Sequence, residues 1–125
     1  MPPTPPGTPS VQVFGLEDSQ PTRAALRFFK ERRIAVHFVD LRRKPMAPGE
    51  LRRFVDRLGP RAIADVDGRL WQDLGLGYLR MTDAELADKL LAEQRLLRLP
   101  LVRSADAFAA GKDEAAWRAM TMATG

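Results

Sequence analysis

The spacing of apolar and polar positions changes several times along the chain, and each change predicts an element. Residues 11–14 (VQVF) form a short, mostly apolar run closed by Gly15, and residues 34–41 (IAVHFVDL) form a longer run rich in β-branched and aromatic side chains. Length and flanks predict a strand for each. Between them, over 22–33, Ala25, Leu26, Phe28 and Phe29 recur at helical spacing against Arg23, Arg27, Lys30, Glu31 and Arg32, which predicts an amphipathic helix. A strand, helix, strand unit favours parallel pairing with a right-handed crossover. The texture then becomes helical. One helix is expected from Pro48, a good first-turn residue, to Gly59, a good stop. Leu70, Trp71, Leu74 and Leu76 make one short amphipathic piece, and Thr82 followed three residues later by Glu85 is a capping box at the head of another helix. The chain returns to strand at "LPLVRS" and "AFAA", turns at Gly111, and ends in a helix from Asp113 through Trp117 to Met120.

That order of elements is the layout of an α/β, thioredoxin-like domain: a four-stranded mixed sheet built as β-α-β, a helical insertion over about 47–95, then β-β-α. A chain of 125 residues, 45% of them hydrophobic, suits one domain with a sizeable core, expected over 11–125. Residues 1–10 hold five prolines and are expected to be a disordered tail. Trp71, Trp117, Phe28, Phe29 and Phe54 lie among other apolar residues at helical spacing and are assigned to packing.

Composition narrows the chemistry. The sequence has no cysteine and a single histidine, His37, which excludes disulfides, thiolate chemistry and ordinary zinc sites. No carboxylates stand at metal-ligand spacing: Asp18, Asp40, Asp65 and Asp67 are scattered. No apolar run approaches the roughly 20 residues that span a bilayer, and the N-terminus lacks the basic and apolar regions of a signal peptide, so no membrane association and a cytoplasmic location are expected. The net charge of +4 is carried largely by arginine, in doublets at 32–33, 42–43 and 52–53. With 16 acidic residues interspersed, these read as solvated helix faces and argue against nucleic acid.

Six stretches, taken in order, resemble the glutaredoxin-like arsenate reductase (ArsC/Spx) family of reductases and Spx-type transcription regulators. They are a first strand ending in Gly15, "SQPTRAALRFF", "VHFVDL", "PRAIADVDGRLWQDLGL", "TDAEL", and "LLRLPLVR" with "AAGKDEAAW". The resemblance implies a nucleophilic cysteine at the start of the first helix, a position occupied here by Ser19, with Thr22 and Arg23 matching the small hydroxyl and basic residues that follow. It also implies arginines that hold an oxyanion. Arg61 matches the first, Leu99 stands where the second belongs with Arg98 one step earlier, and Lys112 takes the place of the third; Arg103, expected beyond the strand, is a substitute. Pro100 falls on the cis-proline that the family places opposite its nucleophile, and glutathione is a co-substrate by the same resemblance; nothing else calls for a cofactor.

The residues at this helix start can also be read without the family. Backbone N–H groups there attract an anion or depress the pKa of a thiol. Serine and threonine are ordinary helix caps, and a serine hydroxyl stays protonated at neutral pH without a general base. Three functions remain open at this stage. The first is an arsenate-reductase-like protein without thiol turnover, acting as a binding or regulatory domain with a small oxyanion or a protein as partner. The second is an active oxidoreductase, if residue 19 is natively cysteine or selenocysteine, and the third is a Spx-like regulator that binds RNA polymerase.

Overall fold

A computed structural model describes residues 10–122. The proline-rich tail expected over 1–10 lies outside these residues except for Ser10, which belongs to the first strand. In chain order the elements are β1 (Ser10–Gly15), α1 (Gln20–Glu31), β2 (Ala35–Asp40), α2 (Pro48–Leu58), α3 (Pro60–Ile63), α4 (Arg69–Asp73), α5 (Asp83–Ala92), β3 (Leu101–Ser104), β4 (Ala107–Ala110) and α6 (Glu114–Met122). Short 3₁₀ turns occupy Leu76–Tyr78 and Gln94–Leu96. The described residues divide into two compact units, one of residues 10–44 with 99–122 and the other of Pro45–Arg98.

The first unit carries a sheet of order β2-β1-β3-β4, parallel between β1 and β2 and antiparallel elsewhere. It is the mixed four-stranded sheet of an α/β, thioredoxin-like fold. Register aligns Phe38, Val13, Val102 and Ala109 in one row across all four strands. Because side chains alternate between faces, the whole row faces one way. It meets Ala25, Phe28 and Phe29 of α1 and Trp117 and Met120 of α6 in a single core cluster. Phe28 and Phe29 meet edge to face at 5.3 Å, and Trp117 sits 5.6 Å from Phe28 and 6.2 Å from Phe29.

Helix α1 begins and ends two residues earlier than its periodicity suggests. At its end the Arg33 N–H donates to the Lys30 carbonyl and the Ile34 N–H to the Phe29 carbonyl, with Arg33 left-handed at φ 57°. This is a Schellman stop, with Ile34 and Phe29 both in the core. Arg32 is drawn back onto the helix: its guanidinium lies 3.6 Å from the Phe28 ring centre and donates to the Phe28 carbonyl at 3.0 Å.

In the second unit, Leu51 and Phe54 of α2, Ile63 of α3, Leu86 and Leu90 of α5, and Leu96 are buried. The capping box forms: the Glu85 N–H donates to Thr82 Oγ1 and the Thr82 N–H to Glu85 Oε1, both at 3.1 Å. Gln94 brackets the backbone of Met46, accepting from its N–H and donating to its carbonyl, each at 2.8 Å. Leu74, grouped with the apolar face by its spacing, is 53% exposed. α4 ends at Asp73 and the chain turns at Gly75, so the helical period no longer applies there. Among the described residues no helix is long and apolar enough to cross a membrane, and no cluster of acidic or histidine side chains could hold a metal ion.

Candidate functional site

The loop from β1 to α1 is shaped by one close approach. Gly15 ends β1 against the side chain of Thr22, and a Cβ at position 15 would meet Thr22 Oγ1 and Cγ2 and lie 3.1 Å from Thr22 Cβ. Thr22 is fully buried, and its Oγ1 has no hydrogen-bond partner among the described residues. Ser19 is the N-cap of α1 in an extended conformation, and its Oγ accepts from the Thr22 N–H at 3.4 Å. Its N–H donates to the Leu16 carbonyl, and its carbonyl receives the Arg23 N–H at 2.9 Å. Pro21 has no N–H to offer. Gln20 is therefore the residue of this first turn whose backbone N–H remains for a ligand. The helix start is a weaker anion trap than four unclaimed donors would make.

Cationic side chains supply what the backbone lacks. Gln20, Pro21, Arg23, Ala24, Arg27 and Lys112 line a cleft of about 350 Å³ along the front of α1. Three of the six are basic and none is acidic, so the charge complements an anion. Lys112 is delivered by the end of β4: Gly111 is left-handed at φ 70°, a conformation that suits glycine, and its N–H donates to the Pro100 carbonyl at 2.9 Å. The Leu99–Pro100 bond is cis.

The other basic residues singled out in the sequence are occupied or elsewhere. Arg61 lies on α3, where its guanidinium donates to the Met81 carbonyl at 2.6 Å and pairs with Asp83 at 3.3 Å. Arg98 is exposed at the end of the second unit, with its N–H on the Ile63 carbonyl. Arg103 lies inside β3 rather than beyond it; it donates to the Ala105 carbonyl at 3.4 Å and lies 5.5 Å from the Phe108 ring centre. His37 is exposed on β2. The first unit thus gathers Arg23 and Lys112 and adds Arg27, which helical periodicity had assigned to a solvated face.

A second tie holds the loop. Asp18 pairs with Arg42 at 2.9 Å, joining the β1–α1 loop to the segment after β2. The hydrogen bond from Arg42, and then its charge, hold the Asp18 carboxyl below the usual aspartate range. A carboxylate with a depressed native pKa stabilises the fold above its unfolded pKa, and the contribution fades as pH falls through the native value. Replacing Arg42 by alanine is expected to raise the Asp18 pKa toward the ordinary value and to remove this pH-dependent contribution to stability. A carboxyl-carbon NMR titration checks this; an unmoved Asp18 would show that the pair does not form in solution.

Comparison with known proteins gives the family and the fold. The sequence matches the ArsC family over residues 14–120. The structure is similar to that of an arsenate reductase from Vibrio cholerae, with a TM-score of 0.77 and 20% identity over 90% of this chain and 98% of that one. It is also similar to an ArsC family related protein from Bacteroides fragilis, with a TM-score of 0.79 and 17% identity over 88% of this chain and 96% of that one. An arsenate reductase (ArsC) related protein from Brucella melitensis gives a TM-score of 0.66 and 17% identity over 88% of this chain and 92% of that one. No curated protein matches the sequence. The match spans most of the chain, which belongs to the ArsC family.

Proposed function

We propose that this member of the ArsC family is a binding or regulatory domain that receives a small oxyanion in the cleft beside Ser19 and does not turn it over by thiol chemistry. The observation that carries this reading is the residue at the helix cap. Two-electron reduction through a covalent adduct or a disulfide needs sulfur, and position 19 offers an alcohol in a chain without cysteine. The Ser19 hydroxyl already accepts a hydrogen bond from the Thr22 N–H, and the lone histidine is exposed on β2. The neighbouring Asp18 carboxylate is engaged by Arg42 at 2.9 Å, so neither it nor the histidine is placed here as the base that an alkoxide needs.

Binding is a separate matter from turnover. Arg23, Arg27 and Lys112 can meet an oxyanion electrostatically, and Gln20 can add one backbone donor. Lys112 supplies a point charge without the planar fork of an arginine, and Arg61 is engaged by Asp83 and Met81. Both features favour holding an anion loosely over orienting it for reaction.

The test is an arsenate reduction assay with glutathione and glutaredoxin, run on the full chain beside a Ser19→Cys variant. No turnover above background is expected of the unaltered chain, and turnover would overturn the reading in favour of an active reductase. Calorimetric titration with sulfate, phosphate and arsenate tests the binding half. A paired Arg23→Ala and Lys112→Ala change is expected to weaken binding about tenfold, as for loss of two solvent-exposed ion pairs. No heat at millimolar anion would remove the oxyanion from the proposal, and recovery of RNA polymerase subunits on the chain would replace it with a Spx-type role.

A further inference from the structure

Strand β2 ends the sheet on one side, and among the described residues its outer edge has no strand beside it in the order β2-β1-β3-β4. The Leu41 N–H donates to the Gly15 carbonyl, so the odd-numbered residues of β2 direct their backbone groups toward β1. By alternation, Val36, Phe38 and Asp40 direct theirs outward. The Asp40 carbonyl is taken by the N–H groups of Arg43 and Lys44, which leaves the Val36 and Phe38 N–H and C=O groups as a free ladder.

Edge strands are usually blunted by lysine, proline, a bulge or brevity. β2 uses none of these: its sequence is AVHFVD, it pairs with β1 over all six residues, and none of the six is buried. The opposite edge, β4, has four residues. Beside β2 runs an open groove of about 560 Å³ lined by Leu26, Ile34, Val36 and Phe38, with Lys30 and Arg33 on its rim. The Val36 and Phe38 side chains point to the α1 side, where they pack against the core cluster. Outward backbone groups, one apolar groove and two basic side chains thus meet at this edge.

We propose that this edge is a docking site for an extended acidic peptide of a partner protein, which adds to β2 as a fifth strand and turns to the groove one face carrying both apolar side chains, set beside Val36 and Phe38, and carboxylates, brought to Lys30 and Arg33. Main-chain pairing would supply affinity and the alternating side chains selectivity. Charge complementarity selects the occupant. A second copy of β2 would bring a like-charged rim to the site. Residues 1–9 of this chain carry no acidic group, and their five prolines lack the N–H donors a ladder needs. The site is separate from the cleft beside Ser19 and stands or falls independently of the proposed oxyanion binding.

The experiment uses the full chain and a fluorescent ten-residue peptide in which every second residue is valine or glutamate in turn, with threonine between them, so that both fall on one face, followed by polarisation and by amide hydrogen exchange. Binding is expected, with exchange slowed at Val36 and Phe38, and a Lys30→Glu, Arg33→Glu double change is expected to weaken it about tenfold. A peptide N-methylated at alternate amides should bind at least tenfold more weakly in one of its two registers, a control that leaves the protein unaltered. Equal binding of both methylated peptides, or unchanged exchange at Val36 and Phe38 under saturation, would overturn strand addition. Equal binding of the same peptide with lysine in place of glutamate would overturn the acidic partner. Protection of the same amides that grows with protein concentration and without peptide would assign the edge to a second copy instead.

Discussion

Replacing Trp117 by alanine is expected to destabilise the chain by about 3–5 kcal/mol, the range for deleting a large aromatic from a packed interior. The indole is fully buried and contacts both Phe28 and Phe29, so three aromatic rings define where α6 and α1 meet over the sheet. Deleting the largest leaves a void with no polar lining for water to occupy, and its walls lose dispersion contacts. Against a typical total stability of about 5–15 kcal/mol, the loss is a large share. Trp117→Phe separates volume from polarity. The indole Nε1 is buried without a partner among the described residues, so phenylalanine restores most of the packing and removes an unsatisfied donor, for an expected cost of about 1 kcal/mol. Urea unfolding followed by circular dichroism measures both. Equal losses for alanine and phenylalanine would mean that the indole is held by something other than its packing.

The second large effect is expected at Gly15. A methyl group there must displace the side chain of Thr22, which is β-branched, fully buried and part of the first turn of α1. Such a side chain has little rotamer freedom to yield. Gly15→Ala is therefore expected to cost about 1–3 kcal/mol, as overpacking does elsewhere. It should also disturb the Ser19 cap, because the Thr22 N–H is the donor to Ser19 Oγ. If the clash is the cause, adding Thr22→Ala should recover part of the loss, giving a coupling energy above about 0.5 kcal/mol in a double-mutant cycle. Strict additivity would show that glycine is needed at position 15 for its backbone rather than for its lack of a side chain. The cycle thereby tests how β1 positions the start of α1, where the proposed anion cleft lies.

Elements were legible where the signal is local. The capping box at Thr82 and Glu85 spans three residues, the face of α1 repeats with the helical period, and Pro48 and Gly59 stand at the ends of α2; each is specified by near neighbours. Local spacing was less informative where the chain leaves an element. Leu74 kept the helical spacing but follows the end of α4, and Arg33 kept it but sits in the left-handed residue that stops α1. The short α3 was not separable from its neighbours, because four residues carry too little periodicity to register.

The candidate site divides along the same line. The sequence by itself determined that position 19 is a serine in a chain without cysteine, that two strands and a helix surround it, and that hydrogen-bonding residues crowd the start of that helix. Only the tertiary structure decided which charges meet. It gathered Arg27 with Arg23 and Lys112, tied Arg61 to Asp83, drew Arg103 toward Ala105 and Phe108, and clipped Asp18 to Arg42. It also placed β2 at the rim of the sheet. The physical reason is that an arginine's charge is encoded in its identity, whereas its partner is set by chain crossings between segments far apart in sequence, and no local repeat records those.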